Sequence, residues 1–335
     1  SLSNDEIWEG NRYILYRQTS DSVFAKKYNW SNQYLKETRL KVNDKLYLFR
    51  QNKPSPVVDK KFIFSWNALA VRGFIDAYKS FDDEFFLEQA GKTLNALLSD
   101  NFYKKKRILH IKNTSETLLL LEDYAVLIDA LISFYEVTAD ERKLTLAKEL
   151  TDFVLDTFNS ENGVYFKFAE DKKTSIAGSM IQYEDNFLPS ANSMMAENLF
   201  KLNHFFGFDK YKERAKKMTS MVQSRVLEYP LKYTNWMQSI YNFTYPFYEI
   251  AITGPLAIEK LNLLLPFYLP DSVISCSDKK SDLYLLKDRY DAESTYYFVC
   301  VDNFCKIPVQ TVDELFSLLE VRPENMLYES NPLFR

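Results

Sequence analysis

Glycine is scarce in this chain of 335 residues, with 7 in all, against a usual share of roughly 7%. Glycine loops that cradle phosphates are therefore not expected, and the GxGxxG, GxxxxGK[ST] and GxSxG patterns are absent. The 3 cysteines are too few for a disulfide framework, so a reducing, cytoplasmic setting is expected. The 2 histidines form no HExxH or Cys/His cluster. We therefore predict neither a metal nor another cofactor.

Long apolar runs and a strong net charge are also lacking. No stretch of about 20 apolar residues occurs, so no membrane span is expected. The formal net charge of −4 provides no general attraction to nucleic acid or anionic membranes. Residues 1–6 are polar and acidic, which is unlike a secretory signal. They include no initiator Met, which indicates a processed chain or a piece of a longer protein.

Helical periodicity dominates what is present, from about residue 31 to 247. The clearest pair has apolar stripes over 118–135 and 144–158, joined by a turn so short that the two helices must lie antiparallel. The same unit recurs over 66–97 and 195–222, and each turn supplies an aspartate that could cap the next helix. Less distinct helices are predicted at 31–53 and 234–247. Such pairs, placed edge to edge, build a superhelix or a closed α/α toroid.

The pattern changes after Phe247. Short strands are predicted at 249–253, 272–275 and 296–300, with helical segments at 255–267 and 311–320. We therefore expect a helical-hairpin domain over 1–247 and a small α/β subdomain over 248–335. A further short strand is predicted at 164–168, on the rim of the toroid.

Polar and aromatic side chains stand at the beginnings of three predicted inner helices. One interpretation is capping of free backbone N–H groups. The other is that these helix ends converge on one cavity that suits a sugar, since an indole can stack on a pyranose and polar groups can bind hydroxyls. The predicted substrate-binding residues are Trp66, Asn67, Tyr124, Ser190, Asn192 and Ser193.

Three carboxylates are candidates for acid–base chemistry at such a site. Glu122 or Asp123, together with Asp185, could act as the acid and the base. His110 and His204 are expected to be structural, with His110 the better functional candidate.

Two of the cysteines, Cys300 and Cys305, have four residues between them, which is neither a zinc pair nor the CxxC redox spacing. Structural or incidental thiols are one interpretation, and a redox or metal-binding role is the other. The redox interpretation requires the two sulfurs to approach disulfide distance.

Four motifs occur in a fixed order: Ser-Trp-Asn-Ala-Leu at 65–69, Glu-Asp-Tyr-Ala at 122–125, Pro-Ser-Ala-Asn-Ser at 189–193 and Cys-Val-Asp-Asn-Phe-Cys at 300–305. Together they resemble the C-terminal region of the spermatogenesis-associated, thioredoxin-domain protein family. The helical part of that family is similar to N-acylglucosamine 2-epimerases and six-hairpin glycosidases. The resemblance covers nearly the whole chain and implies a mainly α, (α/α)6-type toroid.

The resemblance also implies what this chain lacks. Family members carry an N-terminal thioredoxin-like domain and the first toroid hairpins, whereas this chain holds about four hairpins and its toroid is expected to be incomplete. The open edge would be covered by the missing segment, a partner or a second subunit. The implied function is carbohydrate binding or processing, with sugar isomerase/epimerase-like or glycosidase-like activity. The alternative is a non-catalytic interaction or scaffold module that serves a thioredoxin-like domain.

Overall fold

The computed structural model describes the backbone of 7–8 and 12–13 and the residues 19–112, 118–170, 180–302 and 304–319. The chain divides into two compact units, 1–60 and 61–335. In the first unit, strands β1 (Ile7–Trp8) and β2 (Arg12–Tyr13) pair antiparallel. Helices α1 (Asp21–Lys27) and α2 (Asn32–Gln51) follow and are linked by an ion pair between Arg39 Nη1 and Asp21 Oδ2 at 2.6 Å.

Helical hairpins form most of the second unit, as the periodicity predicts. Each pair is joined by a turn of two residues whose first residue has the left-handed conformation: Asp82, Ala139 and Gly207. The side chains of Asp83 and Asp140 cap the following helices by accepting backbone N–H bonds. The helices are α3 (Phe64–Phe81), α4 (Glu84–Leu97), α5 (Leu121–Thr138), α6 (Glu141–Thr157), α7 (Ala191–Phe206), α8 (Asp209–Glu228) and α9 (Thr234–Thr244).

These helices form two layers. α3 packs on α5, α5 on α7 and α7 on α9, which makes an inner row, while α4, α6 and α8 each cover their hairpin partner from outside. α5 is buried on almost every side because it lies between two inner neighbours and its outer partner, which explains why its sequence is apolar nearly all round. The fold is thus mainly α, an incomplete (α/α)6-type toroid; its described residues form three whole hairpins, and α9 adds one inner helix.

A small sheet follows the helices, in the order β6–β5–β7–β8. β5 pairs parallel with β6 and antiparallel with β7, and β7 pairs antiparallel with β8. The sheet lies against the C-terminal ends of two inner helices, since the Tyr135 hydroxyl bonds the Ser275 hydroxyl and His204 Nδ1 lies 2.6 Å from Glu249 Oε1. The elements are β5 (Tyr248–Thr253), α10 (Ala257–Leu264), β6 (Ser272–Ser277), β7 (Tyr296–Val301), β8 (Phe304–Cys305) and α11 (Val312–Leu318).

Two local predictions are wrong. The segment 164–168 is not a continuous strand: it forms one antiparallel bridge, between Phe166 and Asn159, and the Phe166 N–H and C=O are bonded by the side chain of Asn192. Asp209 does not cap α8: it is the first residue of that helix, and the capping position is taken by Phe208 without a side-chain bond. Among the helices in the described ranges, none has both the length and the apolar character of a membrane span. The division at residue 248 stays a prediction.

Candidate functional site

Four polar side chains meet where α3 and α5 begin. His110 Nδ1 lies 3.0 and 3.2 Å from the two oxygens of Asp123, and 3.5 Å from Glu122 Oε1. The Ser65 hydroxyl donates to Glu122 Oε1 at 3.4 Å. The capping positions of the two helices are Ile63 and Leu120, which supply no side-chain bond, but Asp123 accepts a backbone bond from Ser65 in the first turn of α3. The capping interpretation therefore holds in part for this group, which we call the carboxylate–histidine cluster (Ser65, His110, Glu122 and Asp123).

His110 is brought to the cluster by a loop that is fixed at several points. The preceding hairpin pairs β3 (Tyr103–Lys104) with β4 (Arg107–Ile108). The backbone N–H of Phe64 donates to the His110 carbonyl at 2.8 Å. The buried Tyr124 hydroxyl donates to the Lys106 carbonyl at 2.8 Å and accepts from the Ile108 N–H at 3.3 Å. Tyr124, a predicted sugar ligand, is therefore used to hold this loop, and burial raises its pKa.

The two carboxyl groups of the cluster have different environments. Asp123 is fully buried, and burial raises its pKa from 3.8 to about 6, although the bond from His110 acts in the opposite direction. Glu122 lies beside it with 35% of its side chain exposed. Carboxyl groups in unlike environments can take the separate roles of acid and base.

Ligand atoms of His110, Glu122 and Asp123 all lie within 4.8 Å of one another, close enough to surround a cation. The hydrogen bonds of the imidazole to Asp123 and the bond from Ser65 to Glu122 already account for this arrangement. We therefore assign no metal to it, and the prediction of no metal stays a prediction.

The two other predicted residues at the start of α3 differ in their accessibility. The Trp66 indole follows Ser65 and is 60% exposed, so it is available to a ligand. The Asn67 amide is partly buried and donates to the Ile63 carbonyl in the preceding turn at 2.8 Å.

A cavity of about 550 Å³ lies between the inner helices and the segment 268–270. We call it the inner cavity. Leu69, Pro189 and Met194 contribute apolar surface to it. Its polar lining comes from α3 (Arg72, Asp76), α5 (Asp129), α7 (Glu197, Asn198, Lys201) and α9 (Thr234, Asn235, Gln238). A second cavity of about 360 Å³ shares Arg72, Asp76 and Lys201 with it and adds Lys79 and Glu136.

The charges in these cavities are largely paired. Arg72 Nη1 lies 2.9 Å from Asp129 Oδ1, and Asp129 raises the pKa of the guanidinium further. Lys201 Nζ lies 2.8 Å from Glu197 Oε1. Burial would raise the pKa of Glu197, but this ion pair outweighs it and the pKa is lowered. Burial lowers the pKa of Lys79.

The remaining predicted residues form a separate polar network at the start of α7. Ser190 caps this helix by accepting from the Ser193 N–H, as the capping interpretation predicts. Asp185 Oδ1 accepts from the Ser190 N–H and the Ser193 hydroxyl, and its Oδ2 accepts from the Asn235 N–H, all at 2.8 Å. Asn192 is 1% exposed and bonds only backbone groups, those of Phe166 and Gln182. The structure therefore does not join Asp185 to the Glu122–Asp123 pair.

The two cysteines of the last motif come together in a disulfide, with Cys300 opposite Cys305 in the β7–β8 pair. His204 is buried between α7 and β5, which fits the expected structural role.

Sequence reasoning missed the charged residues of the inner cavity. Arg72, Asp129, Glu136, Glu197 and Lys201 lie in helix interiors among apolar residues. Charged residues are rarely buried unless paired, so their position on otherwise apolar helix faces was the available signal.

No protein-family model matches the chain. Among curated proteins, an uncharacterized protein of Caenorhabditis elegans is 23% identical over 325 residues, which cover 92% of this chain and 44% of that protein. Spermatogenesis-associated protein 20 of Homo sapiens is 23% identical over 300 residues, which cover 82% of this chain and 38% of that protein. The predicted resemblance is confirmed.

The chain spans about two-fifths of the length of these curated relatives. Solved structures similar to it include a sugar epimerase from a ruminal bacterium, with a TM-score of 0.40 and 18% identity, covering 50% of this chain and 45% of that one. Another is an α-mannanase of glycoside hydrolase family 76 from Bacteroides thetaiotaomicron, with a TM-score of 0.47 and 13% identity, covering 70% of this chain and 66% of that one.

Proposed function

We propose that this chain binds a carbohydrate in the inner cavity and processes it at the carboxylate–histidine cluster. The observation that carries the proposal is the cavity itself, about 550 Å³ in volume and lined by donors and acceptors from four inner helices. This volume is within the range of roughly 300–1,000 Å³ that is usual for small-molecule sites.

Helix geometry aligns the cluster with the cavity. Residues three, four or seven positions apart lie on one face of a helix. On α3, Ser65 of the cluster is followed at this spacing by the cavity residues Leu69 and Arg72. On α5, Glu122 is followed seven residues later by Asp129. The cluster therefore lies about two turns before the charged cavity lining on the same faces.

The cavity lining suits a neutral ligand rich in hydroxyl groups. Two cationic side chains, Arg72 and Lys201, lie among three carboxylates, those of Asp76, Asp129 and Glu197. An anion would face an excess of carboxylates, whereas hydroxyl groups can donate to carboxylates and accept from guanidinium and ammonium groups. The exposed Trp66 indole at the start of α3 offers an apolar plane for a pyranose ring.

The proposed chemistry is proton transfer, of the sugar isomerase/epimerase-like or glycosidase-like kind. The groups that a sugar can reach are the partly exposed side chains of Glu122 and His110, and these two exchange protons with it. Asp123 is fully buried; it bonds His110 Nδ1 and so orients the imidazole, which also lies 3.5 Å from Glu122 Oε1. Asp185 has no part in this proposal, because both of its oxygens bond the start of α7 and Asn235.

Ligand binding is tested by thermal shift and calorimetric titration with a panel of neutral mono- and oligosaccharides. We expect at least one sugar to raise the melting temperature. Trp66→Ala should weaken its binding about tenfold, in line with a stacking contribution of roughly 1.4 kcal/mol. Phe81→Ala is the matched control, since Phe81 is a 70% exposed aromatic residue at the other end of the same helix.

Catalysis is tested separately on any sugar that binds, by analysing the products after incubation. Glu122→Gln and Asp123→Asn should bind the sugar and fail to convert it. Binding without turnover by the wild type would favour the non-catalytic module that serves a thioredoxin-like domain. Failure of every sugar in the panel to bind refutes the proposal.

A further inference from the structure

The β7–β8 hairpin carries a group that the proposed function does not use. Cys300 and Cys305 lie directly opposite each other in this antiparallel pair and are joined by a disulfide. The two sulfurs differ in access, since Cys300 is fully buried and Cys305 is exposed. An attacking thiolate can therefore reach only the Cys305 sulfur.

A guanidinium group faces both sulfurs. Arg289 Nη1 lies 3.4 Å from Cys300 Sγ, and Arg289 Nη2 lies 3.3 Å from Cys305 Sγ. The guanidinium also stacks over the Phe298 ring, 5.3 Å from its centroid, which holds it in place. A disulfide is neutral and gains little from a cation, whereas a thiolate beside a cation is stabilised. Glu249, opposite Cys300 on β5, and Tyr284 also act on this guanidinium, but the Glu249 carboxylate bonds His204 whereas the Arg289 nitrogens bond the two sulfurs. The cation is thus placed to stabilise the thiolate of the reduced pair.

We propose that Cys300 and Cys305 form a thiol–disulfide exchange site that accepts electrons from a dithiol reductant. One thiolate of the reductant attacks Cys305 Sγ and forms a mixed disulfide. The bond between Cys305 and Cys300 breaks, and its electron pair goes to Cys300 Sγ, where Arg289 stabilises the thiolate. The second thiolate of the reductant then attacks its own sulfur in the mixed disulfide and releases Cys305. In sum, two thiols of the reductant become one disulfide, and the protein gains two electrons and two protons.

The dithiol could be a small molecule or a protein, and the residues beside Cys305 distinguish the two. Phe304 and Ile307 are 83% and 84% exposed on either side of it. A protein that reaches Cys305 must cover these apolar side chains, whereas a small dithiol need not. Their replacement should therefore slow only a protein reductant.

The disulfide itself is tested on the intact, air-oxidised chain by alkylation and mass spectrometry under native and denaturing conditions. Cys276 is a buried free thiol whose pKa is raised by burial to about 12, so it provides an internal control that reacts only after unfolding. We expect one alkylated thiol in the unfolded oxidised protein and three after reduction. Three alkylated thiols without reductant would overturn the proposal.

The exchange step is tested by the rate of native-state reduction at pH 7 with dithiothreitol and, separately, with thioredoxin kept reduced by its reductase. Arg289→Gln should slow dithiothreitol several-fold, because loss of the cation raises the pKa of the leaving Cys300 thiolate and a leaving thiolate of higher pKa departs more slowly. In the reduced variant, the thiol pKa obtained from the pH dependence of Cys alkylation should rise as well. Lys287→Gln, an exposed charge change in the same segment, should alter neither quantity.

Three results would contradict this site. They are a disulfide that resists both reductants until the chain unfolds, equal rates for the wild type and Arg289→Gln, and an unchanged thiol pKa in that variant. A Phe304→Ala/Ile307→Ala variant that is slower with thioredoxin and unchanged with dithiothreitol identifies a protein as the reductant. If this double variant is reduced at the wild-type rate by both thioredoxin and dithiothreitol, the reductant is a small dithiol.

Discussion

Replacing Asn192 by Ala distinguishes the two roles that the sequence allows for this residue, a sugar ligand and a structural hydrogen-bonding group. The Asn192 Oδ1 accepts from the Phe166 N–H at 2.8 Å. Its Nδ2 donates to the Phe166 carbonyl at 3.0 Å and to the Gln182 carbonyl at 2.9 Å. The side chain is 1% exposed, so water cannot take over these bonds without rearrangement. The amide therefore connects the start of α7 with the two segments that pass in front of it.

The cost of Asn192→Ala can be worked out from these three bonds. Each buried hydrogen bond contributes roughly 1 kcal/mol net, and the backbone groups left behind lose their partner. We therefore expect the free energy of unfolding to fall by about 3 kcal/mol. For a domain of this size, 1 kcal/mol corresponds to roughly 2–4 °C, so the melting temperature should fall by about 6–12 °C.

The assay is thermal and urea unfolding followed by circular dichroism, with Asn67→Ala as the control. Asn67 makes a single bond, to the Ile63 carbonyl of its own helix, and is only partly buried. Its replacement should cost less than about 1 kcal/mol. If Asn192→Ala melts with the wild type but no longer binds the sugar that the wild type binds, then Asn192 is a ligand and the structural assignment is refuted.

Two further predictions concern protonation and backbone space. The pKa of Asp123 is about 6 in the folded protein against 3.8 in the unfolded chain, so the folded protein binds this proton more tightly. As the pH rises from about 4 to 7, the wild type should therefore lose about 3 kcal/mol of unfolding free energy relative to Asp123→Asn, which carries no titrating group at this position. If the unfolding free energies of the two proteins, measured in urea, change with pH in the same way across this range, the burial of the Asp123 carboxyl is contradicted. Gly254→Ala should lower the unfolding free energy by about 2 kcal/mol or more, because Gly254 has a φ of 131° and an added Cβ would lie 2.3 Å from the Ser294 carbonyl oxygen. Gly91→Ala should instead raise the unfolding free energy by about 0.5–1 kcal/mol, because Gly91 lies inside α4 and an added Cβ would meet the Phe134 ring at an ordinary contact distance of 3.7 Å. Thermal melts in which Gly254→Ala is more stable than Gly91→Ala would show the reasoning to be wrong.

Much of the fold was predictable because it depends on patterns among residues that are near one another in the sequence. The turn between α5 and α6 is so short that the two helices can only lie antiparallel, and the apolar stripes on both sides show which faces meet. The change to alternating short strands after Phe247 is also local, and β5, β6 and β7 begin within a residue of their predicted positions. The segment 164–168 forms only a single bridge, to Asn159, and the side chain that bonds the Phe166 backbone, Asn192, lies 26 residues away along the chain, beyond the reach of a local pattern.

The candidate site was predictable only in part. Glu122 and Asp123 are adjacent in sequence and begin one helix, so they had to lie close together. That His110 joins them and Asp185 does not depends on the loop that Tyr124 fixes and on the bonds at the start of α7.

The sequence by itself determined the helices, their pairing and the types of residue at their beginnings, because periodicity and turn length act over a few residues. Only the tertiary structure decided which polar groups share a site. Hydrogen bonds between distant segments join His110 to Asp123 and place Asn192 and Asp185 in the network at the start of α7. They also place Arg289 beside the Cys300–Cys305 disulfide. The inner cavity has the same origin, since its polar lining comes from four helices that only packing brings together.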